Sequence, residues 1–211
     1  MTTLQPADAY RLLARDYDTA LNPMLALEQR AMTPLLPPLR GAKVIDVAAG
    51  TGRWASHCQA QGAWTIAADF CREMLASAPD PVVLADANLL PLPDGFSDLT
   101  ICAFALGYAA CLPELARVTR TGGVVLVSDV HPEAIRGGWT RTFRHGSDQI
   151  NVAHHPYSLD DLRGAGLRLD VLVEPRFGEP ERAVFVQAGK QAAFEQASRH
   201  PAIFVARWIK V

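Results

Sequence analysis

The chain has 211 residues, 49% of them apolar, and this length and composition predict one domain, residues 1–211, with one sizeable core. A formal net charge of -2 provides no broad basic surface, which argues against a nucleic-acid partner and favours small-molecule partners. The first residues lack a secretory signal pattern, and no run reaches the roughly 18 apolar residues of a membrane span, so we expect a cytoplasmic protein.

The first forty residues predict an N-terminal helical cover, residues 1–40, that lies beside the rest of the domain. Apolar residues recur at helical spacing over 9–15 and over 23–36. Three prolines, Pro34, Pro37 and Pro38, end the second helix and lead an extended chain to Lys43.

Between Lys43 and Asp129, apolar strands alternate with helices. The expected strands are 43–48, 64–69, 82–85, 98–103 and 122–129, and the expected helices are 52–61, 71–77 and 112–119. Apolar strands separated by helices predict an α/β protein with a doubly wound, mostly parallel sheet that is covered on both faces. Ligands of such sheets lie beyond the carboxyl ends of the strands, where the strand order reverses.

The loop after the first of these strands is the most informative segment of the chain. The run Asp46-Val-Ala-Ala-Gly-Thr-Gly-Arg-Trp follows a buried strand, turns on glycines and opens a helix. Such a turn presents backbone N–H groups and a helix N-terminus to a ligand. Residues 50–55 also satisfy a loose dinucleotide pattern, so the loop alone leaves the cofactor open.

Acidic residues near the ends of the other strands narrow the choice. Asp69, Asp86 and Asp129 follow apolar runs as Asp46 does. Together with Tyr17-Asp, residues 22–28 and the closing run 203–208, these motifs resemble the class I S-adenosylmethionine-dependent methyltransferases, in particular the small-molecule branch related to ubiquinone and menaquinone C-methyltransferases. The resemblance implies S-adenosyl-L-methionine as cofactor and a seven-stranded sheet whose last strand is antiparallel.

The resemblance also implies roles for residues around the nucleoside half of that cofactor. Asp69 would accept both ribose hydroxyls, because an ionised carboxylate has two acceptor oxygens. Asp86 would accept the adenine amino group, and the N–H of Ala87 would donate to a ring nitrogen. Phe70 and Met74 would pack on the adenine face, although Met74 is equally well interpreted as a core residue.

Around the methionine half, the resemblance implies three further groups. Asp46 would orient the loop and the ammonium group through water, and Ala103 would offer its carbonyl oxygen to the same ammonium. Tyr17, in the N-terminal cover, would close over the cofactor carboxylate, with ordinary helix packing as its alternative role.

The glycine loop agrees with the family pattern at Gly50 and Gly52 and departs from it at Ala48, where glycine is usual. An added methyl group narrows the approach of the cofactor to the backbone. The substitution is either tolerated or reshapes how the sulfonium group lies.

After Asp129 the sequence predicts an irregular segment, residues 131–157, that acts as a lid or substrate wall. Histidine titrates near neutral pH, so His131, His154 and His155 are candidate bases, with Tyr157 as a positioning group. Solvated or capping histidines are the alternative. Trp139 in this segment would pack the lid or stack on a substrate. Its three arginines, Arg136, Arg141 and Arg144, would attract a carboxylate or phosphate on the acceptor, with a solvated loop surface as the alternative.

No metal site is expected. The four cysteines, Cys58, Cys71, Cys102 and Cys111, have no zinc-ligand spacing and are predicted to be buried thiols. His154 and His155 are adjacent in an extended segment, so their side chains would point in opposite directions and would not form a metal site together. The remaining chain predicts a short helix over 158–166, a strand over 168–174 and a last strand over 203–209, with a helix preferred to a strand over 181–198.

These features predict an enzyme that transfers a methyl group from S-adenosylmethionine to O, N or C of a small acceptor. Two alternatives remain from the sequence. One is an enzyme of the same fold that uses the sulfonium for intramolecular displacement or cyclisation, and the other is a cofactor-binding protein without turnover. The acceptor and the oligomeric state are left open by the sequence.

Overall fold

A computed structural model describes residues 2–162 and 166–211. Strands in this part of the chain are β1 Thr2–Leu4, β2 Lys43–Val47, β3 Trp64–Asp69, β4 Val82–Leu84, β5 Ser97–Ala103, β6 Thr119–Val130, β7 Thr142–His145, β8 Asp148–Val152, β9 Leu167–Val173 and β10 Ile203–Lys210. The α-helices are α1 Pro6–Leu13, α2 Pro23–Met32, α3 Arg53–Ala60, α4 Arg72–Leu75, α5 Leu112–Val118, α6 Pro132–Arg136, α7 Glu179–Gln187 and α8 Gln191–Ala197. Short 3-10 turns cover Thr33–Leu35 and Asp160–Leu162.

Seven strands form the main sheet in the order β4-β3-β2-β5-β6-β10-β9. Neighbouring strands from β4 to β6 are parallel, and β10 is antiparallel to both β6 and β9. The expected doubly wound, mostly parallel sheet with an antiparallel last strand is therefore confirmed. The strand order reverses between β2 and β5, and the carboxyl ends of these strands open onto the site described below.

Each face of the sheet has its own apolar layer because side chains alternate along the strands. The register places Val44, Leu99 and Val124 in one row, facing a layer that includes buried residues of α2, α3, α7 and α8. The next row contains Ile45 and Val125, facing a layer that includes buried residues of α5. Continuous apolar strands are thus explained by burial on both faces.

The predicted irregular segment 131–157 has regular structure, so that expectation was wrong. Its first part forms α6, and β7 and β8 then form an antiparallel hairpin whose turn contains Gly146 at a φ of 59°. Strand β1 pairs in parallel with β8, which gives a second sheet in the order β1-β8-β7. The buried side chains of Ile150 and Val152 provide the apolar face on which this small sheet rests.

The preference for helix over strand at 181–198 is confirmed, but the segment forms two helices, α7 and α8, where one was expected. The two helices are separated at Gly189, whose φ of 66° is a left-handed conformation that does not continue an α-helix. Few residues other than glycine adopt that conformation readily. The predicted helix over 158–166 includes residues 163–165, which lie outside the described residues. Within residues 2–162 and 166–211, no helix combines the length and apolar character needed to cross a membrane.

Candidate functional site

A cavity of about 300 Å³ lies at the carboxyl ends of β2, β3 and β5, where the strand order reverses. Its volume is at the lower end of the range of small-molecule sites. Ten of the eleven residues predicted to bind the cofactor line it: Tyr17, Asp46, Ala48, Gly50, Asp69, Phe70, Met74, Asp86, Ala87 and Ala103. The exception is Gly52, which lies behind the loop. Residues predicted from separate strand ends therefore lie around one cavity.

The glycine loop is held in left-handed backbone conformations. Ala48 has a φ of 54° and Gly50 a φ of 58°. Gly52, at the N-terminus of α3, has a φ of 76°, and a Cβ atom on it would lie 2.5 Å from Pro79 Cδ and 2.8 Å from Ala78 Cβ. Gly52 is therefore required for close packing against residues 78–79, while Gly50 faces the cavity.

Asp46 connects β2 to α3 beneath the loop. Its side chain is 1% exposed, and one carboxylate oxygen accepts a hydrogen bond from the backbone N–H of Ala55 at 2.9 Å. Burial raises the pKa of Asp46 to about 7, with the Ala55 N–H acting in the opposite direction. The carboxyl group is therefore placed to change protonation near neutral pH, at the wall of the cavity.

Asp69 joins the end of β3 to the loop. One oxygen accepts from the N–H of Gly50 at 2.8 Å, and the other accepts from the N–H of Cys71 at 2.8 Å. Burial raises the pKa of Asp69, and these backbone hydrogen bonds oppose that effect. Each carboxylate oxygen has a second lone pair, so the group retains acceptor capacity for ligand hydroxyls.

The far end of the cavity is built from residues after β3 and β4. Asp86 accepts hydrogen bonds from the backbone N–H of Asn88 at 2.8 Å and from its side-chain Nδ2 at 3.0 Å. Ala87 is buried beside it, and Phe70 is 40% exposed at the opposite wall. Met74 is buried beneath the loop, 3.1 Å from where a Cβ of Gly50 would lie, so it fills the core and lines the cavity.

The N-terminal cover is attached to the loop by contacts that sequence reasoning missed. Thr51 Oγ1 donates to the Asp18 carboxylate at 2.7 Å. Glu28 is fully buried on α2, where it pairs with Arg53 and accepts from Trp54 Nε1 at 3.3 Å. The charged pattern around residues 18 and 28 could have indicated such anchoring, but the partners become neighbours only in the fold.

A second cavity, of about 740 Å³, lies between the cover and the segment 131–157. Four side chains line both cavities, Tyr10, Tyr17, Phe104 and Tyr108. Further lining residues come from the cover, from the segment 131–157 and from the C-terminal helices, and include Met24, Trp139, Arg141, Arg144, His154 and Phe185. The two spaces are therefore neighbours across a wall that is rich in tyrosine.

Of the candidate bases and the positioning tyrosine, His154 lines the second cavity, whereas His131, His155 and Tyr157 line neither cavity. His131 is 3% exposed, with Nε2 2.8 Å from Glu174 and with Nδ1 accepting from the N–H of Glu133 as the cap of α6. His155 is exposed and contributes a backbone N–H to the Gly107 carbonyl at 2.7 Å. The Tyr157 hydroxyl donates to the carbonyl of Val130, because the ring packs inward against Phe204.

Asp129 and Arg141 form a buried pair that holds the loop after β5. The Asp129 side chain is fully buried, pairs with Arg141 Nη2 and accepts from the N–H of Gly107 at 2.9 Å. Arg141 Nη1 also donates to the Phe104 carbonyl at 3.0 Å. Of the four strand-end acids, Asp129 is thus the one that does not line the first cavity, and Arg141 lines the second cavity while paired with Asp129.

The sheet order and the acid-lined crevice define the fold of the class I S-adenosylmethionine-dependent methyltransferases. Residues 45–127 match the family model described as a methyltransferase domain. A solved S-adenosylmethionine-dependent methyltransferase from Mesorhizobium loti has a TM-score of 0.67 at 20% identity, covering 89% of this chain and 100% of that one. The 4+2 cyclase SpnF has a TM-score of 0.67 at 16% identity, covering 100% of this chain and 99% of its own.

Among curated proteins, the demethylmenaquinone methyltransferase of Mycolicibacterium gilvum is 39% identical over 129 residues, which is 56% of this chain and 56% of that protein. The chain thus spans about half the length of the curated relatives that it matches. The predicted resemblance to class I methyltransferases related to menaquinone methyltransferases is confirmed by these likenesses.

Proposed function

We propose that this protein binds S-adenosylmethionine and transfers its methyl group to a small-molecule acceptor. The observation that carries the proposal is the meeting of the glycine loop with three of the four strand-end acids, Asp46, Asp69 and Asp86, in one cavity that adjoins a second and larger cavity. A two-substrate transfer requires two adjacent spaces of this kind, because the reacting groups must be held close together.

The residues of the first cavity fit the cofactor. Asp69 and Asp86 are acceptors at separate positions for the ribose hydroxyls and the adenine amino group. Asp46 and the carbonyl of Ala103 provide negative and partly negative groups for the ammonium end. When bound, the cofactor supplies a methyl group activated by a positively charged sulfur. Tyr17, Phe70, Met74, Ala87 and the loop residues Ala48 and Gly50 complete the wall.

The second cavity is the proposed acceptor site. It is lined largely by apolar and aromatic residues from the cover, the segment 131–157 and α7–α8, which favours a small molecule with an apolar body. Because the M. gilvum relative is named for demethylmenaquinone, related quinones are reasonable first acceptors to assay. In this proposal residues 1–211 act as one cytoplasmic domain, with 1–40 as cover and 131–157 as substrate wall.

Calorimetric titration with S-adenosylhomocysteine tests the cofactor site. We expect saturable binding, weakened by about 1–3 kcal/mol in both Asp69→Ala and Asp86→Ala through lost hydrogen bonds to a charged group. Asp94→Ala is the matched control, since that carboxylate is exposed and pairs with Arg117 away from the cavity. Unchanged affinity in both folded site variants, or saturable NAD binding, would contradict the proposal.

The transfer reaction is separated from its alternatives by product analysis. Incubation with S-adenosylmethionine should yield S-adenosylhomocysteine only when an acceptor is added. Formation of methylthioadenosine from the cofactor alone would favour intramolecular displacement. Tight cofactor binding with neither product across an acceptor panel would favour a binding protein without turnover.

A further inference from the structure

The wall between the two cavities contains a pair of tyrosine hydroxyls. Tyr10 on α1 and Tyr108 in the loop after β5 have their hydroxyl oxygens 3.0 Å apart, and both side chains line both cavities. The rings meet edge to face with centroids 5.7 Å apart. This polar pair lies where an acceptor in the larger cavity would come nearest to the cofactor cavity.

The Tyr108 ring is held in place by a contact with Arg141. The guanidinium carbon of Arg141 lies 4.7 Å from the centroid of that ring, a cation–π distance, and Arg141 is itself held by Asp129 and the Phe104 carbonyl. The N–H of Gly107, the residue before Tyr108, also donates to Asp129. Such support places the hydroxyl reproducibly, which is a requirement for a group that orients a reactant.

Both hydroxyls remain protonated at neutral pH, because burial raises the pKa of Tyr10 and the pKa of Tyr108 above the usual value. Two hydroxyls carry two protons, and the hydrogen bond between them uses one. One O–H is therefore left to donate. A neutral O–H donor forms a stronger hydrogen bond to a negatively charged oxygen than to a neutral one.

We propose that Tyr10 and Tyr108 bind the methyl-accepting end of the acceptor through this O–H donor, and that the acceptor class is an acidic phenol or enol bound as its oxyanion. The inference rests on the proposed function. Other titratable groups lining the two cavities are Asp16, Tyr17, Asp46, Arg53, Asp69, Asp86, Arg141, Arg144, His154 and Lys190. Selection of the oxyanion by the tyrosine pair removes the need for a base, whether His154 in the acceptor cavity or His131, His155 and Tyr157 outside it.

Para-nitrophenol tests the inference, because its phenolate is coloured and its neutral form is not. Absorbance titration of the protein saturated with S-adenosylhomocysteine should show preferential binding of the phenolate and a lowered pKa of the bound phenol. The double variant Tyr10→Phe/Tyr108→Phe should weaken phenolate binding about tenfold, the size expected for a hydrogen bond to a charged oxygen, because either single variant keeps one O–H that can donate. Binding of para-nitroanisole, which cannot ionise, should be weaker in the parent and equal in all variants.

Tyr157→Phe is the matched control, since its hydroxyl is engaged by Val130 and lines neither cavity. Unchanged phenolate binding in the double variant, a loss in Tyr157→Phe alone, or no binding of para-nitrophenol to the parent would overturn the inference. If S-adenosylhomocysteine does not bind, the proposed function fails, while the same titrations without it still decide whether the tyrosine pair selects an oxyanion.

Discussion

Ala48 is the residue at which the glycine loop departs from the family pattern that it resembles, and its φ of 54° is a left-handed conformation. With a φ of 54°, its Cβ lies close to the following carbonyl, a conformation that is unfavourable for residues other than glycine. The loop therefore keeps the shape of a glycine turn, and the added methyl group lies on the cavity wall.

Ala48→Gly should stabilise the fold by roughly 0.5–1 kcal/mol, because relief of the left-handed conformation outweighs the greater entropy of glycine in the unfolded chain. Urea denaturation measures the change. Ala49→Gly is the matched comparison, since Ala49 lacks a positive φ and should lose stability on the same change. A loss in both variants would show that the Ala48 conformation carries no strain.

Asp46 should make stability depend on pH. Its pKa is raised by burial to about 7 from an ordinary value of 3.8, so the folded state binds the proton more tightly than the unfolded state. Stability from this group is fully present below pH 3.8 and is lost as pH rises through about 7.

Between pH 3.8 and about pH 7, the free energy of unfolding should fall by at most about 1.4 kcal/mol per pH unit because of Asp46. Asp46→Asn should remove this contribution to the pH dependence. Urea midpoints of the parent and of Asp46→Asn, compared at several pH values between the two limits, isolate it because all other groups are shared. Parallel pH profiles would show that Asp46 titrates as it does in the unfolded chain.

At the scale of elements, the start of α3 depends on Gly52 for two separate reasons. Its φ of 76° penalises a side chain, and residues 78–79 occupy the space that a Cβ would need. The loop after β2 and the turn after α4 are consequently packed together at this one residue.

Gly52→Ala should destabilise the protein by roughly 2–4 kcal/mol, combining backbone strain with overpacking. Gly41→Ala is the matched control, because Gly41 has the same φ of 76° but no atom within 4 Å of the position that a Cβ would take. It should cost only about 1–2 kcal/mol. Equal losses in chemical denaturation would mean that packing against residues 78–79 contributes nothing.

At the scale of the whole molecule, the N-terminal cover links three regions. Strand β1 pairs with β8, Asp18 accepts from the loop residue Thr51, and Tyr10 and Tyr17 of the cover line both cavities. A ligand in the first cavity therefore contacts the cover as well as the sheet. Binding should restrain the cover, because ligand contacts add to its existing attachments.

Hydrogen exchange with and without S-adenosylhomocysteine measures this restraint. Amide exchange should slow in β1 and α1 when the ligand binds, while β10, in the interior of the main sheet, should change little in comparison. Equal slowing in both regions would indicate general stabilisation, and slowing confined to the glycine loop would show that the cover does not respond.

The sequence by itself determined the main sheet and the lining of the first cavity, because these depend on local patterns. Apolar runs predict buried strands, and the acid or glycine after each strand necessarily reaches the same edge of a parallel sheet. Ten of the eleven predicted residues accordingly line one cavity. The local pattern did not predict the close packing of Gly52 against residues 78–79 or the positive φ of Ala48.

Only the tertiary structure decided the second cavity and the pairing of its polar groups. His131, His155 and Tyr157 were predicted from residue type within one segment, yet packing turned them toward Glu174, the surface and Val130 respectively. Tyr10 and Tyr108 are 98 residues apart, and no local period records their contact. The side chains that line a cavity between separate helices and strands depend on how those elements pack together. This packing is determined by the whole chain and not by a local pattern.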